Sequence, residues 1–389
     1  MTAGNVEPAA SPAVIDRRHS LTIPAPMQSI KVRLANASYE IIVGAGVFED
    51  LEEHLQAAGL REPFLVVSQP RIFKALGKGL SKKFPVVLIP DGERAKTLTT
   101  VSRLLDRMVE FNLTRQSTVI ALGGGVVGDV AGFVASLYMR GIAVVQIPTT
   151  LLAQVDSSIG GKTGVNHRVA KNLIGTFHQP RLVLSDPLLL KTLPDREYAS
   201  GLFEALKYGI ICDPALFEDF EQNAALFRDR DPAAIQRLVA TCAAIKADVV
   251  MSDEKESDLR RVLNLGHTVG HALEAAAGYQ GIKHGEAVGY GMIAAARIGM
   301  NLQKLAETDR TRIETAVGSI GRLPALTGVN SKSVLTALHH DKKVRDGAVH
   351  FVLPRAIGRV EITADVPLDV VRDVVKGILS DGKRVPRSG

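Results

Sequence analysis

The chain has 389 residues, of which 46% are hydrophobic and 23% are charged. It is therefore long enough for about two globular domains and too apolar for a disordered protein. Lysine and arginine outnumber the acidic residues by 47 to 41, and the net charge of +6 fits either nucleic acid or an anionic metabolite. Because aromatic residues make up only 5% and tryptophan is absent, base-stacking surfaces would be scarce and nucleic acid is disfavoured.

The two ends of the chain have the composition of tails. Residues 1–28 are rich in Ala, Pro and Ser and lack the apolar core of a signal peptide, so we predict a flexible tail there. Residues 380–389 are polar and are expected to be frayed. No apolar run approaches the roughly 20 residues that span a bilayer, so no membrane association is expected. Cys212 and Cys242 are too few for a disulfide framework, and a reducing cytoplasm fits them best.

The first half of the chain predicts an α/β sheet. Residues 29–43 alternate apolar and polar side chains around Asn36-Ala37-Ser38, which predicts a β-hairpin. Short apolar runs rich in β-branched residues follow, and helical stretches at 97–111 and 126–137 lie between some of them. This alternation is typical of a mostly parallel sheet. The predicted strands are 64–67, 86–89, 118–122, 143–147 and 182–184.

Beyond about residue 187 the strand signal fades. A last hairpin, 350–353 with 359–362, precedes a terminal helix at 366–379. We therefore predict an α/β domain at 29–187 and a mainly helical domain at 188–379. The other predicted helices of this second half are 196–211, 232–250, 264–277, 286–302 and 308–320.

Two loops follow predicted strands at the sheet edge where ligands bind in α/β proteins. Gly123-Gly124-Gly125 precedes a helix that contains Asp129, and backbone N–H groups at such a turn can approach a pyrophosphate. No acidic residue follows at the spacing of the dinucleotide pattern, so the turn indicates a nucleotide or phosphate and little more. The segment from Asp91 to Lys96, which contains Glu93, is either a second ligand loop or a helix cap.

A polar, glycine-rich loop follows the next predicted strand. It contains Asp156, the pair Gly160-Gly161, Lys162 and Lys171. This composition indicates a loop wrapped closely around an anionic ligand, because a plain surface loop would not need so many glycines. A surface loop remains the alternative interpretation.

Three histidines and a carboxylate form a candidate metal site. His267 and His271 stand four residues apart, so both rings lie on one face of a predicted helix. His284 follows after a turn, and Glu204 can add an oxygen ligand from a neighbouring helix. Three protein ligands with an open position suit a catalytic divalent ion, whereas a lone histidine is more often packed or capping. The spacing leaves open whether His267 or His271 is the ligand.

The order of these motifs resembles the 3-dehydroquinate synthase family of sugar-phosphate cyclases, over about residues 30–377. The resemblance implies a Rossmann-like α/β domain, a helical C-terminal domain, tightly bound NAD, one zinc or cobalt ion and a homodimer. It implies an anionic sugar-phosphate substrate, 3-deoxy-D-arabino-heptulosonate 7-phosphate, in the shikimate pathway to chorismate. The implied reaction is transient oxidation by NAD, β-elimination of phosphate, re-reduction and aldol closure.

The resemblance also implies roles for individual residues. It gives Glu204, His267 and His284 to the metal and His271 to the substrate. The residues implied at the NAD site are Glu93, Lys96, Gly124, Gly125, Asp129, Thr149, Thr150, Lys162 and Lys171. Those implied at the substrate are Asp156, Lys162, Lys171, Asn172, Lys207, Lys246, Arg260, Asn264 and Lys342, with Arg140 reaching the neighbouring subunit's substrate. The catalytic residues among them are Lys162, Lys207, Arg260, Asn264 and His271.

At two positions the match to the family pattern is incomplete. Family members often carry an acidic residue at the end of the first α/β strand, bonded to the adenosine ribose. This chain has Ser68 and Gln69 there, so we expect an altered NAD affinity rather than its loss. Lys343 is adjacent to Lys342 and is the alternative at that position.

The charge of the implied substrate separates the alternatives. A carboxylate and a phosphate carry about three negative charges, which cationic residues would match, and Arg260 can hold the carboxylate bidentately. A metal-dependent polyol dehydrogenase would not need so many cationic residues around its substrate. Sibling cyclases, whose substrates lack the carboxylate, tend to differ from the family pattern at Asn172, Arg260, Asn264 and His271.

Overall fold

The computed structural model describes residues 26–35, 37–256, 259–340, 344–345 and 348–383. Most of the predicted N-terminal tail, residues 384–389 and Lys342 with Lys343 lie outside the described residues. The strands before residue 186 are β1 (Gln28–Arg33), β2 (Ser38–Val43), β3 (Phe64–Ser68), β4 (Val86–Leu88), β5 (Thr118–Gly123), β6 (Ala143–Pro148), β7 (Lys162–Val165), β8 (Ile174–Phe177) and β9 (Leu182–Ser185).

These strands confirm the predicted mostly parallel sheet. The main sheet has the order β1-β2-β9-β6-β5-β3-β4, and all its neighbouring pairs are parallel except the predicted hairpin β1–β2. The carboxyl ends of β3, β5 and β6 therefore meet at one edge, where the glycine turn lies. Strands β7 and β8 form a separate antiparallel pair.

Helices cover both faces of the sheet, and the second half of the chain is mainly helical. The helices of the first half are α1 (Leu51–Ala57), α2 (Pro70–Leu76), α3 (Leu80–Lys83), α4 (Leu98–Glu110) and α5 (Gly125–Leu137). Those of the second half are α6 (Asp195–Ile211), α7 (Pro214–Arg228), α8 (Pro232–Ser252), α9 (His267–Ala276), α10 (His284–Asn301), α11 (Glu307–Ile320), α12 (Ser331–His340) and α13 (Leu368–Lys383). Short strands β10 (Val344–Arg345), β11 (Ala348–Val349), β12 (Phe351–Ala356) and β13 (Arg359–Thr363) precede α13. In the described part of the chain, no helix combines the length and apolarity needed to cross a membrane.

The hydrophobic core joins the hairpin to the helical half. One cluster fills the space between the sheet and α4–α5, and a second fills the opposite face near α1. The largest cluster contains Val32, Tyr39 and Ile41 of the hairpin together with α6, α8 and α10. Burial of these side chains, at about 25 cal/mol per Å² of apolar surface, therefore fixes the sheet against the helices that carry the candidate site.

The predicted helix at 264–277 begins later than expected. Residues Leu259–Asn264 form a 3₁₀ helix, and Gly266, with φ of +78°, interrupts the chain before α9 starts at His267. A left-handed backbone conformation favours glycine and cannot continue an α-helix. Asn264 therefore lies outside the helix that carries His267. The terminal helix α13 extends to Lys383, beyond its predicted end at 379.

Close backbone contacts hold α10 against α9, and Gly291 is the tightest of them. A Cβ atom at Gly291 would lie 1.7 Å from the carbonyl oxygen of Gly266. We expect Gly291→Ala to lower the free energy of unfolding by about 3 kcal/mol, because one backbone must move. Chemical denaturation measures this loss. The matched control is Gly318→Ala on α11, where an added Cβ meets nothing within 4 Å and should stabilise the helix. Equal stability of the two variants would contradict the prediction.

Candidate active site

Three helices bring the predicted metal ligands together. Glu204 lies in the buried part of α6, His267 and His271 lie one turn apart on α9, and His284 is the first residue of α10. Oε1 of Glu204 is 3.5 Å from Nε2 of His267 and 3.3 Å from Nε2 of His284. The three histidines each offer a ring nitrogen within 4.8 Å of the others. All four predicted groups therefore face one small volume.

The geometry fits a divalent ion. Ligand atoms about 2.0–2.2 Å from a tetrahedral zinc stand about 3.4 Å from one another, which matches the two separations from Glu204 Oε1. The oxygens of the buried Glu204 lie close to Lys207 and to the rings of His267 and His284. A buried carboxylate that faces two imidazole nitrogens is suited to bind a divalent cation together with them.

The charges around Glu204 keep it ionised. Burial raises the pKa of Glu204, but Lys207 and His284 outweigh it and hold the pKa well below its usual range. Lys207 Nζ lies 2.6 Å from Glu204 Oε2, and both side chains are 1% exposed. Burial lowers the pKa of His284, yet Glu204 and Glu274 on either side of its ring raise that pKa to about 10. The site therefore favours a positive charge between its carboxylates.

The remaining ring nitrogens of the histidines have partners, as metal-binding histidines do. Nδ1 of His267 lies 3.1 Å from the carbonyl oxygen of Leu265, and Nδ1 of His284 lies 3.1 Å from Oε2 of Glu274. Sequence reasoning missed Glu274. It stands three residues after His271 and seven after His267, so its position on the same helix face was the signal that could have found it.

A buried lysine–carboxylate pocket adjoins this cluster. Asp156, in the π-helical turn Ala153–Ser157, accepts hydrogen bonds from Lys246 Nζ and, at 2.8 Å, from Tyr208 Oη. Burial raises the pKa of Asp156, but Lys246 and Lys207 hold it far below its usual range. Lys207 is thus placed between Glu204 and Asp156. Tyr208 was not predicted from the sequence.

Arg260 is fully buried and lies close enough to Lys246 to lower the pKa of that amine. Its guanidinium donates to the carbonyl oxygens of Gly160 and Glu254, and its backbone N–H donates to Asp253. Its side chain is 1% exposed, and Nε has no partner among the described residues. Part of its hydrogen-bonding capacity is therefore available to an anion.

Two predicted residues meet at Glu256, which the sequence reasoning did not single out. Lys162 Nζ forms an ion pair with Glu256 Oε2, and Asn264 Nδ2 donates to Oε1 at 3.3 Å. Lys162 and Glu256 are 94 positions apart, so no local pattern marks this contact. Lys171 is placed similarly, with Nζ 3.7 Å from Glu274 Oε1 and 4.1 Å from the ring centre of Tyr279.

The lysines of the pocket are paired in this conformation. Lys207, Lys246, Lys162 and Lys171 each face a carboxylate. The simple expectation that they form an excess of positive charge is therefore incomplete. A divalent ion bound at Glu204 would neutralise one of these carboxylates, which leaves Lys207 to an incoming anion.

The glycine turn lies beside the polar loop, as expected for a dinucleotide site. A Cβ at Gly124 would lie 2.8 Å from Thr150, and one at Gly125 would lie 3.0 Å from Ser157 Oγ. The Ser157 hydroxyl is buried and has no partner within the described residues. Thr149 donates its N–H to Gly123. A turn whose glycines leave this space open, together with a hydroxyl that has no partner among the described residues, fits a diphosphate group.

The segment that follows β4 lies at the same edge of the sheet as the glycine turn. Lys96 is buried, with Nζ 2.5 Å from Asp129 Oδ2 and bonded also to Asn172 Oδ1. Asn166 Nδ2 donates to Glu93 at 2.8 Å. Four predicted residues from three separate segments, Glu93, Lys96, Asp129 and Asn172, thus come together around one edge of the sheet.

The remaining predicted positions are Arg140, the strand-end pair Ser68 and Gln69, and Lys342. Arg140 is exposed in the 3₁₀ turn Tyr138–Arg140, with φ of +68°. Ser68 is fully buried and donates to the carbonyl of Leu122, so it points into the sheet. Gln69 therefore occupies the strand end, and its amide donates to Pro90 at 2.8 Å. Lys342 lies outside the described residues.

Comparisons of the sequence and of the structure with known proteins give consistent matches. Family models described as 3-dehydroquinate synthase N-terminal and C-terminal match residues 86–200 and 201–344. A 3-dehydroquinate synthase from Nostoc sp. strain PCC 7120 is 46% identical over 89% of this chain and 98% of that protein.

Two solved structures share the architecture. A 2-epi-5-epi-valiolone synthase from Streptomyces hygroscopicus with NAD+ and Zn2+ bound is 30% identical, with a TM-score of 0.81 over 90% of this chain and 99% of its own. A 2-deoxy-scyllo-inosose synthase complexed with carbaglucose-6-phosphate, NAD+ and Co2+ is 27% identical, with a TM-score of 0.80 over 90% of this chain and 100% of its own.

Proposed function

The chain belongs to the 3-dehydroquinate synthase family, and we propose that it converts 3-deoxy-D-arabino-heptulosonate 7-phosphate into 3-dehydroquinate and phosphate, as a carbon–oxygen lyase of the shikimate pathway. One observation carries the proposal. The cluster of Glu204, His267 and His284 is joined through Lys207 to the buried pair Asp156–Lys246. The proposed metal site and the buried lysines proposed to bind an anionic sugar thus share Lys207.

Two cofactors fit the residues present. Zinc or cobalt would be held by Glu204, His267 and His284. The proposed NAD residues are Glu93, Lys96, Gly124, Gly125, Asp129, Thr149, Thr150, Lys162 and Lys171. When bound, NAD supplies a reversible oxidation of a substrate alcohol, and the metal ion supplies a Lewis acid for its neighbouring oxygens.

The chain's own residues bind and orient the substrate. We assign the carboxylate to Arg260, whose Nε lacks a partner among the described residues. Lys207 and Lys246 hold negative oxygens in the buried pocket, while Asn264 and His271 orient hydroxyl groups. The other proposed substrate contacts are Asp156, Lys162, Lys171, Asn172 and Lys342, with Arg140 acting across a homodimer. Because Lys207, Lys246 and Arg260 are buried, hydrogen bonds from these three residues to the substrate are stronger than they would be in water.

Lys246 predicts a pH dependence. Burial, with Arg260 and Lys207 nearby, lowers its pKa to about 8, and Asp156 opposes the shift. Only the protonated amine attracts an anion, so kcat/KM should fall about tenfold per pH unit above about pH 8. A pH profile of phosphate release measures this limb. Lys246→Met should abolish the limb at a lower overall rate, whereas Lys162→Met, which removes another proposed substrate lysine, should keep it. A break near pH 8 that survives Lys246→Met would contradict the assignment.

The activity test is phosphate release from the proposed substrate with catalytic NAD and zinc, with and without a chelator. Many turnovers per NAD, no net NADH and loss of activity on chelation would support the proposal. Stoichiometric NADH without phosphate would instead identify a dehydrogenase. Activity only on a heptulose phosphate that lacks the carboxylate would identify a sibling cyclase and refute the role of Arg260.

The organisation of the chain is part of the proposal. We propose an NAD-binding domain at 29–187 and a metal- and substrate-binding domain at 188–379. Every proposed metal ligand lies in the helical half of the chain, which begins with α6. This separation supports the division. We place the enzyme in the cytoplasm, since Cys212 and Cys242 are both free thiols.

A further inference from the structure

Glu274 is a buried carboxylate to which the proposed function gives no role. It lies on α9 and is 7% exposed. Burying a carboxylate is costly unless its oxygens are paired. Both oxygens of Glu274 have a partner: Oε2 is 3.1 Å from His284 Nδ1, and Oε1 is 3.7 Å from Lys171 Nζ.

The contact with His284 fixes the direction of that ring. An ionised carboxylate can only accept a hydrogen bond, so Nδ1 of His284 must donate its proton to Glu274. The opposite ring nitrogen, Nε2, then lies 3.3 Å from Glu204 Oε1. Glu274 thus directs Nε2 of His284, the ring nitrogen that can bind a metal, toward the other proposed ligands.

The fold places Glu274 where it can couple two ligand-bearing helices. His267 begins α9 and His284 begins α10, and Gly270 on α9 would bring a Cβ within 2.9 Å of the backbone of Ala287 on α10. Glu274 stands two turns after His267 on the same face of α9. The helix that supplies one proposed ligand therefore also orients another.

We propose that Glu274 is a positioning residue of the metal site, holding His284 in the ring orientation and tautomer that bind the ion. This inference rests on the metal site of the proposed function. The second carboxylate oxygen of Glu274 faces Lys171, a proposed substrate residue, and is not needed for metal affinity. Removal of the carboxylate should therefore weaken metal binding in a way that removal of Lys171 does not.

The test compares three full-length variants, Glu274→Gln, Glu274→Ala and Lys171→Met. Zinc affinity is measured by competition with a chromophoric chelator, and the visible spectrum of bound Co2+ reports the ligand geometry. Removing the outer partner of a ligating histidine costs about 10- to 100-fold in affinity, so Glu274→Ala should approach the upper value. Glu274→Gln keeps the shape and an accepting oxygen and should lose about tenfold. Thermal unfolding of the metal-free proteins checks that each variant is folded.

Each result bears on one of the two proposals. Wild-type protein that binds no zinc would refute the proposed metal site itself. Wild-type protein that binds zinc, with both Glu274 variants within twofold of it, would overturn the role of Glu274 and leave the proposed function standing. A loss in Lys171→Met equal to that in Glu274→Ala would also overturn it, because the effect would then depend on Lys171. If Glu274→Ala fails to fold, the isosteric Glu274→Gln decides alone.

Discussion

Replacing Glu204 with glutamine is expected to lower kcat by at least about 1,000-fold and the free energy of unfolding by about 3 kcal/mol. The activity falls because the only carboxylate among the proposed ligands is lost. The stability falls for a different reason. Lys207 is 1% exposed with its amine 2.6 Å from Glu204, so the variant leaves a buried charge with Asp156 as its remaining counter-charge nearby.

A double variant separates these two effects. Glu204→Gln with Lys207→Met removes both charges, so urea denaturation should recover much of the lost stability while phosphate release stays absent. Glu197→Gln on the same helix is the matched control. Its pair with Lys283 is 42% exposed on each side, and its loss should change stability by less than about 0.5 kcal/mol. Single and double variants of equal stability would show that Lys207 does not depend on Glu204.

Periodicity in the sequence was sufficient to predict the main sheet and most helices. The β-branched runs became β3, β5, β6 and β9, because buried parallel strands have that composition. Helix α7 (Pro214–Arg228) was missed, although Asp213 as its cap and Pro214 at its first position are ordinary start signals. The pair β7–β8 was also missed. Gly164 and Gly175 weaken its strand pattern, yet a Cβ at Gly164 would lie 2.4 Å from the carbonyl oxygen of Ile174.

The candidate site was predictable where its residues are close in sequence. His267 and His271 share a face by helical spacing, and the rings lie 5.3 Å apart between centres. Contacts between distant segments were not predictable, and Glu256 with Lys162 is the clearest case. Such pairs depend on how β7 and the turn before Asn264 pack together, which no local pattern reports. The resemblance to a family supplied the roles, whereas the structure supplied the partners that hold those residues in place.

The roles of His267 and His271 predict opposite results for two substitutions on one helix. His267→Ala should lower zinc affinity by at least about 100-fold and abolish turnover, because Nε2 of His267 faces the same Glu204 oxygen as Nε2 of His284. His271→Ala should keep one zinc per chain and lose turnover by about 100-fold, because its ring is assigned to a substrate hydroxyl. Zinc content, chelator competition and phosphate release measure the three quantities.

The reverse pattern would assign the metal differently. All three histidines offer nitrogens within 4.8 Å of one another, so a set of His267, His271 and His284 is sterically available. If His271→Ala loses zinc while Glu204→Gln keeps it, the three histidines bind the ion, and Glu204 serves to pair Lys207 instead. If both His271→Ala and Glu204→Gln lose zinc, the ion has four protein ligands and lacks the open position that a catalytic metal requires. Retention of zinc in His271→Ala, together with its loss in His267→Ala and Glu204→Gln, is the result that supports an open site facing the substrate.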